Sequence, residues 1–251
     1  MHLDVIALNN FYYRTQLGQF TRIRLQSCVK KLWGPSVSGQ LAGFGFPPPL
    51  LSPFLNQTKD LFCMMPGQQG VMPWPASGNR SALVEETSWP IPTSSIDRLI
   101  VVHGFETCDR PKDLLQEIWR VLNPSAKVIF IVPNRTGLWA RSELTPFGYG
   151  RPYSIRQLKE QLVDNRFKIE RYVTGLYAPP SEKLYWLKTN NFFERMGQKF
   201  DSRFTAGAII LEASKQIYAP FRSGLTETMS GPLEVFEELA KPKPASRKHP
   251  S

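Results

Sequence analysis

The chain has 251 residues, 41% of them hydrophobic, and a formal net charge of +10. That is enough for one generous domain with extensions. No apolar run approaches the roughly 20 residues that cross a bilayer as a helix, which excludes a helical membrane span. Cys28, Cys63 and Cys108 are odd in number and have neither disulfide-framework nor metal-ligand spacing, so they read as reduced thiols and no metal is expected. The opening Met1-His2-Leu3-Asp4 lacks a charged leader followed by an apolar block, so the expectation is a cytoplasmic chain. Basic residues crowd both ends: Arg14, Arg22, Arg24, Lys30 and Lys31 early, and Lys241, Lys243, Arg247 and Lys248 late. Such a balance favours anionic partners, although no nucleic-acid motif accompanies it and a solvated basic surface is the simpler account.

In chain order, residues 15–33 place Leu17, Phe20, Leu25, Cys28, Val29 and Leu32 on one helical face, and Gly34-Pro35-Ser36 ends that helix. Residues 40–46 are the first strand. Pro47-Pro48-Pro49 then opens a short helix over 50–56, because proline fits a first turn whose N–H groups have no partner. Residues 59–65 form a second strand, 68–80 an irregular segment, and 81–85 a third strand. Trp89-Pro90-Ile91-Pro92 is a rigid turn.

Residues 96–134 are the most informative stretch. Ile96-Asp97-Arg98-Leu99-Ile100-Val101-Val102-His103 and Lys127-Val128-Ile129-Phe130-Ile131-Val132-Pro133-Asn134 are two β-rich runs, and residues 112–122 between them are an amphipathic helix. That is a βαβ unit, hence two parallel strands in a buried sheet. His103 and Glu106 fall at the carboxyl end of the first of these strands, where ligands of open parallel sheets bind. Residues 136–152 form a long loop rich in Gly, Arg and aromatic residues, with the length of a lid or binding loop. Ser154 caps a helix running to about 165. Strand 168–177, helix 181–200 and strand 206–213 follow. From 218 onward the periodicity is lost and a basic, Pro- and Lys-containing tail is expected to be disordered.

The order of elements is α/β, and the residues carry a more specific likeness. Gln40-Leu41-Ala42-Gly43-Phe44-Gly45-Phe46-Pro47, Ser88-Trp89-Pro90-Ile91-Pro92…Ile96-Asp97, Val102-His103-Gly104-Phe105-Glu106 and Glu117-Ile118-Trp119-Arg120-Val121-Leu122-Asn123-Pro124 occur in that sequence. Together they resemble the glycine turn, the Leu-Pro-Phe-Pro…Phe-Asp stretch, the His-x-Leu-Glu and the Glu-x-x-Arg-Val-Leu-x-Pro of class I S-adenosylmethionine-dependent methyltransferases of the type-11 branch. The likeness covers about residues 37–215. It implies a three-layer sandwich around a mostly parallel seven-stranded sheet whose last strand is antiparallel. It also divides the chain into an N-terminal segment covering the cofactor side (1–36), a methyltransferase-like domain (37–217) and the basic tail (218–251).

The resemblance further implies S-adenosylmethionine as cofactor and methyl transfer to an acceptor the sequence does not identify. Gly43, Phe44 and Gly45 would lie under its methionine portion, Met64 near its ribose, and Glu85 or Glu86 at its adenine, with His103 nearby. His103 is also the candidate base for an acceptor that must lose a proton. Tyr12, Arg14, Trp139, Tyr149 and Tyr153 are candidates for contact with the acceptor, which their aromatic and cationic character would suit if it were planar or anionic. Each has a structural alternative: a plain turn for the glycines, solvated acids for Glu85 and Glu86, a strand-end histidine, loop and core packing for the aromatics.

The chain departs from the family where the cofactor is gripped. Leu41 replaces an acid, Pro47 the third glycine, and Cys63 and Met64 stand where an acid holds the ribose hydroxyls. Each charge-assisted hydrogen bond lost there is worth roughly 1.5–3 kcal/mol. A second reading therefore stands beside the enzyme: a catalytically silent methyltransferase fold that binds a partner or RNA.

Overall fold

A computed structural model describes residues 3–58, 60–181 and 205–216. Apart from Ser181, the expected helix 181–200 lies outside them, as does the tail from 218. The chain begins with a helix that the sequence reading, whose first helix starts at residue 15, does not include: α1 (Val5–Arg14). Asp4 caps it, its carboxylate accepting from the Ile6 N–H at 3.2 Å, and Val5, Leu8, Phe11 and Tyr12 form its buried stripe. Thr15 ends α1 and caps α2 (Gln16–Trp33), accepting from the Gly18 N–H at 2.9 Å. This shared residue divides what would otherwise read as one helix.

Seven strands follow: β1 (Leu41–Gly45), β2 (Leu61–Pro66), β3 (Ser81–Val84), β4 (Ile96–Val102), β5 (Leu122–Pro133), β6 (Phe167–Gly175) and β7 (Ala208–Lys215). They form one sheet in the order β3-β2-β1-β4-β5-β7-β6. β1 to β5 pair in parallel, and β7 lies antiparallel between β5 and β6. The expected α/β sandwich with an antiparallel last strand is therefore the observed one. Strand order turns back on either side of β1, a crevice at which open α/β sheets bind ligands.

The pleat divides the core into two layers. Ile100 and Val102 of β4, with Ile129 and Ile131 of β5, face α1, α2 and the short α3 (Pro48–Leu51). Leu99 and Val101, with Val128, Phe130 and Val132, face α4 (Pro111–Val121) and α5 (Ile155–Asp164). The Glu-x-x-Arg pattern has a structural role here. Glu117 on α4 accepts from the Trp89 N–H at 2.6 Å and from Arg120 at 2.7 and 2.8 Å, and Arg120 donates onward to the Trp89 carbonyl at 3.2 Å. This clamp pins the Trp89–Pro92 turn to the helix. Burial raises the Glu117 pKa, but the hydrogen bonds from Arg120 and Trp89, with the Arg120 charge, bring it below the usual carboxylate range. Ser154 and Gln157 form a reciprocal capping box at the start of α5.

Among the described residues no helix is long and apolar enough to cross a membrane. Cys28, Cys63 and Cys108 are buried and form no disulfide with one another.

Candidate ligand cleft and the family of the domain

At the crevice, β1 ends in the turn Gly43-Phe44-Gly45-Phe46. Gly45 takes φ +92°, and the Phe46 N–H reaches across to the Val102 carbonyl of β4 at 2.8 Å. A Cβ on Gly45 would overlap that carbonyl, so only glycine fits. A Cβ on Gly43 would overlap Pro47, with Leu51 close behind. The glycines thus bring the chain's own segments together. Phe44 and Phe46 are fully buried on opposite faces of the sheet. Phe44 packs on Trp89 with ring centroids 4.9 Å apart, in a cluster with Met64, Val84 and Cys108. Phe46 stacks against Tyr12 of α1 at 6.0 Å.

Opposite the turn, β4 delivers His103 in a left-handed backbone conformation (φ +53°), an uncommon state for a residue with a Cβ and one concentrated at functional sites. Its imidazole is held from three sides. Nε2 lies 2.7 Å from the Tyr12 hydroxyl, Nδ1 lies 3.2 Å from Glu106 Oε1, and the ring meets Phe147 edge-on at 4.9 Å. With Nδ1–H donating to the carboxylate, Nε2 is left to accept from Tyr12. All three polar residues are buried, and burial, reinforced by the Glu106 charge, pushes the Tyr12 phenol well above its ordinary pKa.

Helix α1 closes this end of the sheet. Its Val5 N–H donates to the Gln69 carbonyl beyond β2 at 2.9 Å, and its Leu8 and Tyr12 sit over the crevice. The cavity left among Leu3, Leu8, Gln69, His103, Thr107, Pro146 and Tyr149 is about 10 Å³, the space of one water at most. Gln69 is buried there, and neither atom of its side-chain amide has a hydrogen-bond partner.

The remaining candidates divide between core and rim. Trp139 is fully buried, donates to the Ala178 carbonyl at 2.7 Å and packs edge-on to Phe147, so it anchors the long loop. Tyr153 stacks on Phe105, and burial pushes its pKa up to about 12, with Glu106 adding to the shift. Arg14 is exposed on the last turn of α1, and Glu85 is exposed just past β3. Glu86 is half-buried with one carboxylate oxygen unpartnered, beside Cys108, whose thiol burial and the Glu86 charge push up to about 12. Tyr149 is half-buried and lines both the small cavity and a larger pocket of about 350 Å³ on its far side. Tyr12 thus bonds His103, His103 and Tyr149 line one small cavity, Trp139 sits behind Phe147, and Arg14 and Glu85 are exposed. Sequence reasoning missed Gln69. It expects Glu106 to orient a neighbour rather than to catalyse, and the neighbour is His103, three residues away. A further pocket, of about 470 Å³, lies between Asn134, Thr136, α5 and Tyr172, away from His103 and the glycines.

A family model described as "Methyltransferase domain" matches residues 76–130, the segment carrying β3, β4, α4 and most of β5. The fold is shared with solved structures. A SAM-dependent methyltransferase from Thermotoga maritima superposes with a TM-score of 0.56 at 15% identity, over 80% of this chain and 91% of that one. Residues 76–130 are thus similar to a methyltransferase domain, and the chain shares the fold of such structures. Geranyl diphosphate C-methyltransferase from Streptomyces coelicolor, solved with S-adenosyl-L-homocysteine and geranyl diphosphate, has a TM-score of 0.52 at 13% identity, covering 76% of this chain and 77% of that one. The [4+2]-cyclase SpnF has a TM-score of 0.55 at 14% identity, covering 82% and 85%. At these identities the likeness is one of fold, and the cyclase illustrates that one fold hosts different reactions. No curated protein matches the sequence.

Among the described residues, the ends of β1 and β2 do not fit S-adenosylmethionine. The glycine turn is filled by Pro47, Leu51 and the paired phenylalanines. Pro47, Pro48 and Pro49 remove three N–H donors from the helix start that would face an anionic group. β2 ends in Cys63-Met64-Met65-Pro66, all buried, without a carboxylate. A cavity of about 10 Å³ compares with the roughly 300 Å³ or more of small-molecule sites.

Proposed function

We propose that this methyltransferase-fold domain is a binding module whose cofactor crevice is occupied by its own α1, so that with α1 seated it holds no S-adenosylmethionine. One observation carries the reading: Tyr12 of α1 lies in the crevice, stacked on Phe46 and hydrogen-bonded to His103. The experiment is calorimetric titration of the full chain with S-adenosylmethionine and S-adenosylhomocysteine. The expected result is no saturable heat with either. Micromolar binding by the unaltered chain overturns the proposal.

A second reading, methyl transfer from S-adenosylmethionine to an acceptor after α1 withdraws, is favoured by Gln69. A buried amide with both polar atoms unpartnered costs roughly 1–3 kcal/mol per group, so the closed arrangement carries a penalty that an open one would relieve. Its position just beyond β2 also suits a hydroxyl-bearing ligand. Under this reading His103 serves an acceptor only after Tyr12 releases its Nε2. Titrating a Tyr12→Ala variant separates the two: binding gained by the variant alone makes α1 a lid, and binding by neither supports the module. The three buried cysteines, none paired in a disulfide, support a reducing, cytoplasmic setting in either case. An RNA partner for the basic ends would show affinity that falls steeply with salt.

A further inference from the structure

We infer that the outer face of α2 docks on an anionic membrane surface, its cations meeting acidic headgroups and Ile23 entering between them. Residues 5–33 hold Arg14, Arg22, Arg24, Lys30 and Lys31 and neither Asp nor Glu, so α1 and α2 carry half of the chain's formal charge of +10. The two sides of α2 differ. Leu17, Leu25, Cys28, Val29 and Leu32 are buried in the core cluster that faces the sheet. Gln16, Ile23, Ser27 and Lys30 are exposed and recur at helical spacing on the opposite face, with the exposed Lys31 and the half-buried Phe20 and Arg24 beside them.

A solvated basic surface is the competing account, and the other long helices show what such a surface looks like. α4 mixes Lys112, Asp113, Glu117 and Arg120, and α5 mixes Arg156, Lys159, Glu160 and Asp164. Ion pairs Arg120–Glu117 and Arg156–Glu160 form within them. A face shaped only for water intersperses both signs in this way. α2 has no acid to intersperse, and it leaves Ile23 59% exposed midway along its outer face. Cations and apolar side chains on one helical face, without acids, suit an acidic lipid surface: headgroups neutralise the cations while the apolar groups enter the acyl boundary.

The aromatic rings fit the same partner. The Arg24 guanidinium lies 5.2 Å from the Phe20 ring centroid, and that of Arg22 lies 5.1 Å from the ring of Tyr13 on α1. Rings carrying a cation are at home at headgroup level. A second copy of the chain would set the same cations against one another, so charge excludes it as the occupant. RNA would engage the cations through its phosphates and leave Ile23 without a role. The face is the one turned away from the sheet, so the inference rests on neither reading of the crevice.

The test is co-sedimentation of the full chain with phosphatidylcholine vesicles, with and without about one third phosphatidylserine. The expected result is binding to the anionic vesicles alone, falling as salt rises. The double substitution Lys30→Gln, Lys31→Gln should weaken it about tenfold or more. Ile23→Ser, which leaves the charge unchanged, should weaken it about fivefold. All three side chains are exposed, so the variants keep the fold, and circular dichroism checks this. Absence of binding to anionic vesicles, equal binding to neutral ones, or binding unchanged by either set of substitutions overturns the inference. So does binding of single-stranded RNA by a chain that leaves the vesicles unbound.

Discussion

Two neighbouring parts of the same sheet edge are built from opposite materials. At the ends of β1 and β2 the chain has placed Phe44, Phe46, three prolines and two methionines, and has then laid α1 across them. Beyond the end of β4, three carboxylates, a guanidinium and a tyrosine line a pocket of about 350 Å³. Among the described residues, packing in the first region leaves a cavity under α1 of about 10 Å³; beside the second, a loop is pinned to the Glu106 backbone. The difference teaches that the fold and the cofactor chemistry can part company. The sheet and its βαβ unit need only apolar faces and parallel pairing, whereas a cofactor grip needs a few polar groups at one edge, and those can be replaced without disturbing the sheet.

The contrast can be broken most forcefully at Gly45. Gly45→Ala should destabilise the domain by about 3–5 kcal/mol, since it adds backbone strain to a clash with the β4 carbonyl. Urea unfolding measures this, and a cost below about 1 kcal/mol would mean that the turn can open toward a ligand. Next in size is Tyr12→Phe, which keeps the stack on Phe46 and removes the hydroxyl bonded to His103. Leaving a buried ring nitrogen unpaired should cost roughly 1–3 kcal/mol. It should also speed amide hydrogen exchange in α1, and unchanged exchange there would show that Tyr12 does not hold the helix.

Glu117→Gln tests the clamp behind the closed region. The folded-state pKa of Glu117 is depressed, so its contribution is present above the ordinary glutamate pKa and fades as pH falls through the folded value. The variant should be less stable by roughly 1–2 kcal/mol at neutral pH, with the difference vanishing in acid. Thermal melts at several pH values would read it, and a gap constant with pH would count against the ion pair. The smallest stability effect is expected on the open side. Glu143→Gln should change stability by less than about 0.5 kcal/mol, because its carboxylate makes none of the core contacts. A large loss of stability would mean that the loop depends on Glu143 for its shape.

Much of the architecture was legible in the chain. The β-branched runs on either side of residues 112–122 predicted β4, α4 and β5, and Ser154 announced α5. These features are local, set by periodicity of 2 or 3.6 and by caps. Helix α1 was missed because its stripe of Val5, Leu8, Phe11 and Tyr12 joins α2 through Thr15, which caps one helix while ending the other. The site was legible only in outline. His103 could be placed at a strand end, but its partners Tyr12 and Glu106 are 91 and 3 residues away, and only the nearer pairing leaves a spacing to read.

The sequence by itself determined the parallel sheet, the strand-end position of His103 and the absence of a carboxylate from β2, because each depends on residue identity or near-neighbour pattern. What filled the crevice was decided by tertiary structure. Gly43 and Gly45 permit close approach by a ligand or by the chain itself, and nothing local distinguishes the two. The choice was made when α1 folded back over the sheet and Pro47, Leu51 and Tyr12 took the space, because burying those apolar surfaces together is favourable wherever no ligand competes for them.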